Sequence, residues 1–371
     1  MSVELRRVGK YELQKRLVRS NASEFWQAFD PQEQHYVTIK FSYTNQQVDS
    51  GFMTRLVQEA EKVAALHHPN IAQLHGVYFF PSEQPDNLAT SIICVVMDYV
   101  EGQTLADYIR STPSTGKLPP GAEIVHLFTS ISLAIDYVHQ HNIIHGNIKP
   151  TNILLDQSVP SQGRIGEPVL TDFSFSNLLR NNGGNIAPFY LSPEQVKGQP
   201  LNARSDIYSL GVILYELCTG ALPFRGNRPV AIMMQHINAS PTPPALMNPT
   251  ISPALANVIL RSLAKDPAAR FPSASSMTVA LAKSLNMPVP EPLDQSVYMP
   301  DGMLESFYTS STPQLSQNNW SRSSIASAGG NVSPGSPARE RVLSAPPQEA
   351  GLPAFPSSTS LMRRGVNCLP I

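Results

Sequence analysis

His145-Gly146-Asn147-Ile148-Lys149-Pro150-Thr151-Asn152, with Asp172-Phe173-Ser174 further downstream, is the stretch that decides how this chain is read. It follows a helical pattern in which Ile124, Leu127, Phe128, Ile131, Ile135 and Val138 recur on one face up to a polar stop at residues 139–142. The octapeptide is therefore a loop at the end of a buried helix. Its Asn147 carries a carboxamide, which hydrogen-bonds a hydroxyl but has no basic lone pair at neutral pH. A metal centre made of His139, His141 and His145 is the competing reading, and their spacing puts them on no common face of a helix or strand.

Outward from that loop, the 371 residues and 42% apolar content suffice for one large or two ordinary domains with a real core. A net charge of −1 without any Lys/Arg block excludes a nucleic-acid or anionic-membrane partner on electrostatic grounds. The three cysteines, Cys94, Cys218 and Cys368, are scattered without metal spacing, which points to a reducing compartment. Met1-Ser2-Val3-Glu4 opens without an apolar signal region, and no later run reaches the roughly 18 apolar residues of a membrane span, so a soluble cytoplasmic protein is expected.

Glu12 to Lys40 reads as short strands with a turn at Asp30-Pro31, and Phe52 to Leu66 has apolar residues at helical spacing. Ile92 to Met97 reads as a buried strand, whereas Ile207 to Leu217, apolar nearly all round, reads as a central helix. From Met287 onward the text turns Pro-, Ser- and Asn-rich, including Ser333-Pro334-Gly335-Ser336-Pro337, and a disordered tail is expected. The organisation is then an extension over 1–10, a domain over 11–286 and a tail over 287–371.

In the octapeptide and Asp172-Phe173 the chain resembles the eukaryotic-type Ser/Thr protein kinase family, whose loop reads His-Arg-Asp-x-Lys-x-x-Asn. The resemblance implies an α+β bilobal fold, with a small strand-rich lobe over about 11–97 and a larger helical lobe over about 101–286. It places Asn147 where the family has its proton-accepting Asp, keeps Lys149 beside the transferred phosphoryl group, and assigns Asn152 and Asp172 to magnesium. Val37-Thr38-Ile39-Lys40 resembles the strand whose lysine meets the nucleotide phosphates. Gln58-Glu59-Ala60, ahead of His67-His68-Pro69-Asn70-Ile71, supplies the helix glutamate, and a buried Lys40–Glu59 ion pair is expected.

Other positions depart from the family. Val18, Ser20 and Ser23 stand where three glycines let backbone amides approach the phosphates, so that grip is weakened. Phe25 and Thr38 are larger than the usual roof over the adenine, Leu154 is an ordinary floor, and Asp98 and Val100 are the hinge residues that meet the adenine edge. Gly146 removes an arginine, Ser174 replaces a glycine at the loop pivot, and Ala187 lacks a hydroxyl that normally bonds the missing Asp. Ser192-Pro193-Glu194 with Arg270, Asp206, and the Val63, Leu74, Phe173 and His145 stack keep the scaffold. The leading reading is a pseudokinase that acts by binding a protein partner, with ATP and magnesium left open as cofactors. The alternatives are a slow Ser/Thr kinase acting on protein substrates and a nucleotide-independent interaction scaffold.

Overall fold

Alternating apolar residues in the first third of the chain build one twisted antiparallel sheet. The computed structural model describes residues 7–20, 23–44, 50–80, 91–111, 118–158, 165–173 and 188–293. The sheet runs in the order β1 (Arg7–Val8), β2 (Tyr11–Arg19), β3 (Ser23–Asp30), β4 (His35–Thr44), β6 (Ser91–Asp98), β5 (Leu74–Phe80). On β3 the residues alternate strictly, with Glu24, Trp26, Ala28 and Asp30 buried and Phe25, Gln27 and Phe29 half-buried. Register carries that alternation across the sheet: Val18, Phe25, Lys40 and Val95 form one cross-strand row, and Gln27, Thr38 and Met97 the next but one, on the same face.

Helix α1 (Ser50–Ala64) covers the sheet with Phe52, Leu56, Ala60 and Val63, a stripe at helical spacing that is buried against β5. The loop after it ties the sheet to the second lobe. Asn70 O accepts from Leu170 N at 2.8 Å, and Ala72 N donates to Leu170 O at 2.9 Å, so Ile71 pairs with β9 (Glu167–Leu170). The Glu167 carboxylate receives Asn70 at 2.7 Å and Ser130 at 2.8 Å, which anchors this junction to the helical lobe.

That lobe contains α2 (Leu105–Ser111), α3 (Gly121–Gln140), α4 (Pro193–Val196), α5 (Ala203–Thr219), α6 (Pro229–Asn238), α7 (Pro244–Met247), α8 (Pro253–Ser262) and α9 (Ala274–Ser284). Helix α5 is buried almost all round, as its sequence predicts, and Gly211 lets it approach α8 so closely that a Cβ there would lie 2.6 Å from Ser262. Among the described residues α3 is long and apolar enough to cross a membrane, yet most of it is buried in the lobe, packed on α9. Leu293, beyond the boundary expected at Asn286, is also buried. The tail expected to be disordered from residue 287 is thus ordered through Leu293, and its remainder lies outside the described residues, as does Ser174 with the segment through Ala187.

Candidate functional site

A short sheet of β7 (Gly102–Thr104), β8 (Ile153–Asp156) and β9 holds the octapeptide at the face of the helical lobe. Asp206, at the start of α5, fixes its backbone from below. The carboxylate accepts from His145 N at 3.0 Å, Gly146 N at 2.8 Å and the His139 ring at 2.8 Å. Gln195 of α4 donates to Gly146 O at 2.8 Å, so both sides of that peptide are held. Gly146 has φ +65°, a left-handed conformation that costs a side-chain-bearing residue roughly 1–2 kcal/mol. His145 is fully buried and stacks on Phe173 with ring centroids 4.5 Å apart, and Val63 and Leu74 lie in the same core.

Behind α4, Arg270 closes the scaffold. Its Nη1 and Nη2 donate to the two Glu194 oxygens at 2.7 and 2.9 Å, and it also reaches the carbonyls of Ala264, Arg204 and Lys265. Burial would raise the Glu194 carboxyl, but Arg270 and Ser205 bring it below the ordinary glutamate value.

Asp172 is the centre of the cleft. It has φ +59°, a strained conformation for a residue other than glycine, and its carboxylate is nearly enclosed. Lys40 Nζ lies 2.5 Å from Oδ1. The Asn147 amide donates to Oδ2 and to the Asp172 main-chain oxygen, both at 3.2 Å. Both partners are acceptors only, so the amino end of Asn147 must face them. Burial would raise the Asp172 carboxyl, yet Lys40, with Lys149 and His145 behind it, holds it below the ordinary range. Lys149 is also lowered: burial pushes its ammonium down, Asp172 opposes the shift, and Lys40 adds to it.

The ion pair expected between Lys40 and Glu59 is not formed, and this corrects the sequence reading. The Glu59 side chain is 47% exposed and pairs with Lys62 at 2.7 Å along the flank of α1. The reason is packing: Leu56, Ala60 and Val63 occupy the inward stripe, which leaves position 59 at its edge, one turn from a lysine. Lys40, deprived of that carboxylate, turns to Asp172.

Phe25 reaches over the lysine, with the ammonium 5.6 Å from its ring centroid. Thr38 is buried two residues along the strand on the same face, Val18 is 57% exposed at the end of the row, and Leu154 on β8 is half-buried. The tip of the β2–β3 hairpin is closed by its own serines. Ser20 N donates to Ser23 O at 2.8 Å and Ser23 N to Ser20 Oγ at 3.1 Å, which turns both groups inward instead of toward a ligand. At the hinge, Asp98 N donates to Gln73 O at 3.0 Å, and its side chain accepts from Gln73 N at 3.0 Å and pairs with the His75 ring at 2.7 Å. Val100, two residues on, is half-buried. The structure thus gathers Lys40, Asp172, Asn147, Lys149 and Phe25, and sets Glu59 apart. Asn147 as a partner of Asp172, and Gln195 as a clamp on Gly146, carried no signal in the sequence beyond their residue types.

Magnesium, which the resemblance implies, would be held here by the Asp172 carboxylate and the Asn152 side-chain oxygen. A magnesium ion needs carboxylate oxygens free to enter an octahedral shell. The one carboxylate here has an ammonium on one oxygen and an amide donor on the other. Each oxygen keeps a further lone pair, and Asn152 donates its amino group to Asn147 O at 2.9 Å, which leaves its side-chain oxygen, the atom a magnesium ion would take, with only a 3.5 Å contact to Thr151. Among the described residues, no group of three or more His, Cys, Asp or Glu is placed to hold a metal.

Comparison with known proteins adds a family to this geometry. The protein kinase domain model matches residues 11–281. A probable serine/threonine-protein kinase of Streptomyces coelicolor is 34% identical over 286 residues, which cover 75% of this chain and 40% of that protein. PrkC of Bacillus subtilis is 36% identical over 245 residues, 64% of this chain and 34% of the relative. PknB of Mycobacterium tuberculosis is 32% identical over 291 residues, 76% of this chain and 44% of the relative. The chain spans less than half the length of these curated relatives. Among solved structures, the Mycobacterium tuberculosis PknI kinase domain shares the fold with a TM-score of 0.58, at 23% identity over 76% of this chain and 100% of that one.

Proposed function

The chain belongs to the protein kinase family, its domain matching residues 11–281, and from that membership we propose that it is a pseudokinase, acting by binding a protein partner rather than by efficient phosphate transfer. The observation that carries this reading is the direction of Asn147. A phosphate-accepting hydroxyl needs a base that takes its proton, within about 2.6–3.2 Å. Asn147 has no such base, and its amide is turned into Asp172 instead of the cleft mouth. The closed serine hairpin and the exposed Glu59 support the same conclusion, since neither helps to orient phosphates.

A second reading, a slow Ser/Thr kinase, is favoured by one observation: Lys40, Lys149, Asn152 and Asp172 are all present and gathered at the cleft. Phosphoryl transfer passes through a loose transition state, and loss of a general base costs about 10²–10⁴-fold of a family rate of about 1–100 s⁻¹. Transfer from radiolabelled ATP to a mixture of protein acceptors separates the two. The pseudokinase reading expects no transfer above a Lys40→Met control; incorporation that this substitution abolishes would overturn it and favour the slow kinase.

A further inference from the structure

We infer that the row of rings at the hinge end of the sheet, Phe29, Tyr36 and Tyr99, is a docking surface for an arginine-bearing segment of the protein partner. The inference deepens the reading above and rests on it for the existence of that partner. Cross-strand register builds the row. Phe29 pairs with Tyr36 across β3 and β4, the next row after Gln27 and Thr38 on the same face, and Tyr99 follows the last residue of β6. The ring centroids of Phe29 and Tyr36 lie 5.4 Å apart and those of Tyr36 and Tyr99 6.1 Å apart, tilted by 60° and 59°. Tyr36, in the middle, is 44% exposed, and its two neighbours are half-buried. Rings that brace one another have little freedom left to lose on binding, so the surface they offer is already organised.

The charges around the row decide what fits it. Glu33, in the turn between β3 and β4, and Glu101, two residues after Tyr99, are both exposed and enter none of the ion pairs among the described residues. The Asp98 side chain is 44% exposed, with the His75 ring on one oxygen and Gln73 N on the other. The cations at this end are already taken. Arg7 pairs with Glu12, and Lys10 with the buried Asp30 at 2.8 Å, Glu33 acting on that lysine only from beyond pairing distance. The row therefore combines aromatic faces with carboxylates that lack a cation. An aromatic face attracts a cation through its quadrupole, and a guanidinium is the cation that lies flat on a ring while its N–H fork meets a carboxylate. A lysine ammonium, compact and strongly hydrated, gains the first attraction and not the second. An acidic segment would bring like charge to Glu33 and Glu101, and a purely apolar one would desolvate them without a partner.

Two peptides, acetyl-Gly-Arg-Gly-Arg-Gly amide and its lysine counterpart, titrated into the full chain with labelled Phe and Tyr rings, test this by NMR. The arginine peptide is expected to shift the Phe29, Tyr36 and Tyr99 resonances and to bind about threefold or more tighter than the lysine peptide. Equal affinities, shifts confined to other residues, or no saturation by about 10 mM peptide would overturn the proposal. Tyr36→Ala should weaken the arginine peptide about three- to tenfold, and parent-like binding by this variant would overturn the proposal as well. Glu33→Gln combined with Glu101→Gln should weaken it by a similar factor that shrinks in about 0.5 M salt, and no change would remove the carboxylates and with them the preference for arginine. Glu291→Gln, at an exposed carboxylate beyond α9, is the control and should bind as the parent does. Self-association in sedimentation that Tyr36→Ala abolishes would assign the row to a second copy of the chain instead. Arginine binding at the row together with phosphate transfer that Lys40→Met abolishes would keep this inference and sink the pseudokinase reading; the absence of both would do the reverse.

Discussion

Asn147→Asp restores the residue type that the family uses, and the structure says that it should harm this protein before it helps. The substitution exchanges an amide that donates to Asp172 at 3.2 Å for a second carboxylate in the same place. Two unit charges at that separation repel by about 5 kcal/mol at an effective dielectric constant of about 20. Lys40 and Lys149 offset part of this, so the net loss of stability is expected at about 2–4 kcal/mol near pH 8. The pH dependence follows in sign. The new carboxyl would have a folded-state pKa above its unfolded value of about 3.9, so the penalty is absent below about pH 4 and complete only above the folded value. Urea unfolding followed by circular dichroism, parent against variant, should show a gap at pH 8 that narrows by pH 5. A variant as stable as its parent at pH 8, or a gap that does not narrow, would show that Asn147 does not face Asp172. Phosphate transfer by the variant is expected to stay below the family range, because the serine hairpin and Glu59 are unchanged.

Three further outcomes test the scaffold and the helix. Arg270→Leu leaves Glu194 buried without its cation, and should cost about 3–5 kcal/mol in urea unfolding at pH 7; a loss below about 1 kcal/mol would contradict the bidentate geometry. Glu59→Ala removes only an exposed pair with Lys62, so stability should change by no more than about 0.5 kcal/mol and ATP affinity hardly at all. An effect on ATP as large as that of Lys40→Met would put Glu59 back at the phosphates. His236 is fully buried, accepts or donates at 2.9 Å with the Tyr208 hydroxyl, and is held down to about 4 by burial and by Lys265. It must become charged when the chain unfolds in acid, so stability should fall as pH drops from about 6.5 toward 4, by on the order of 3 kcal/mol. His236→Gln should flatten that decline, and an NMR titration of the ring centred near pH 6.5 would refute the burial argument.

Much of the scaffold was written in local pattern. The stripe Ile124 to Val138, the all-apolar run around Gly211 and the buried strand Ile92 to Met97 became α3, α5 and β6 because burial selects one face, or every face, of an element, and that selection leaves a period in the text. The motif residues were legible for a different reason: Lys40, Lys149, Asn152, Asp172, Glu194 and Arg270 stand in a fixed order that resembles one family, and the fold brings the first four to one cleft and the last two into contact.

What the sequence by itself determined is which groups the cleft contains: two lysines, one carboxylate, an amide where a base would stand, and no glycines above them. Which of these groups meet was decided only by tertiary structure. Glu59 was available to Lys40 by residue type, but the rotation of α1, set by Leu56, Ala60 and Val63 competing for the inner stripe, turned it to solvent. Lys40 then took Asp172, and Asn147 closed on the other oxygen. Pairing among charges depends on distances across segments far apart in the chain and on which neighbours have already been satisfied. No local period records either, so the identity of the partners, and with it the electrostatic character of the cleft, is a property of the folded chain alone.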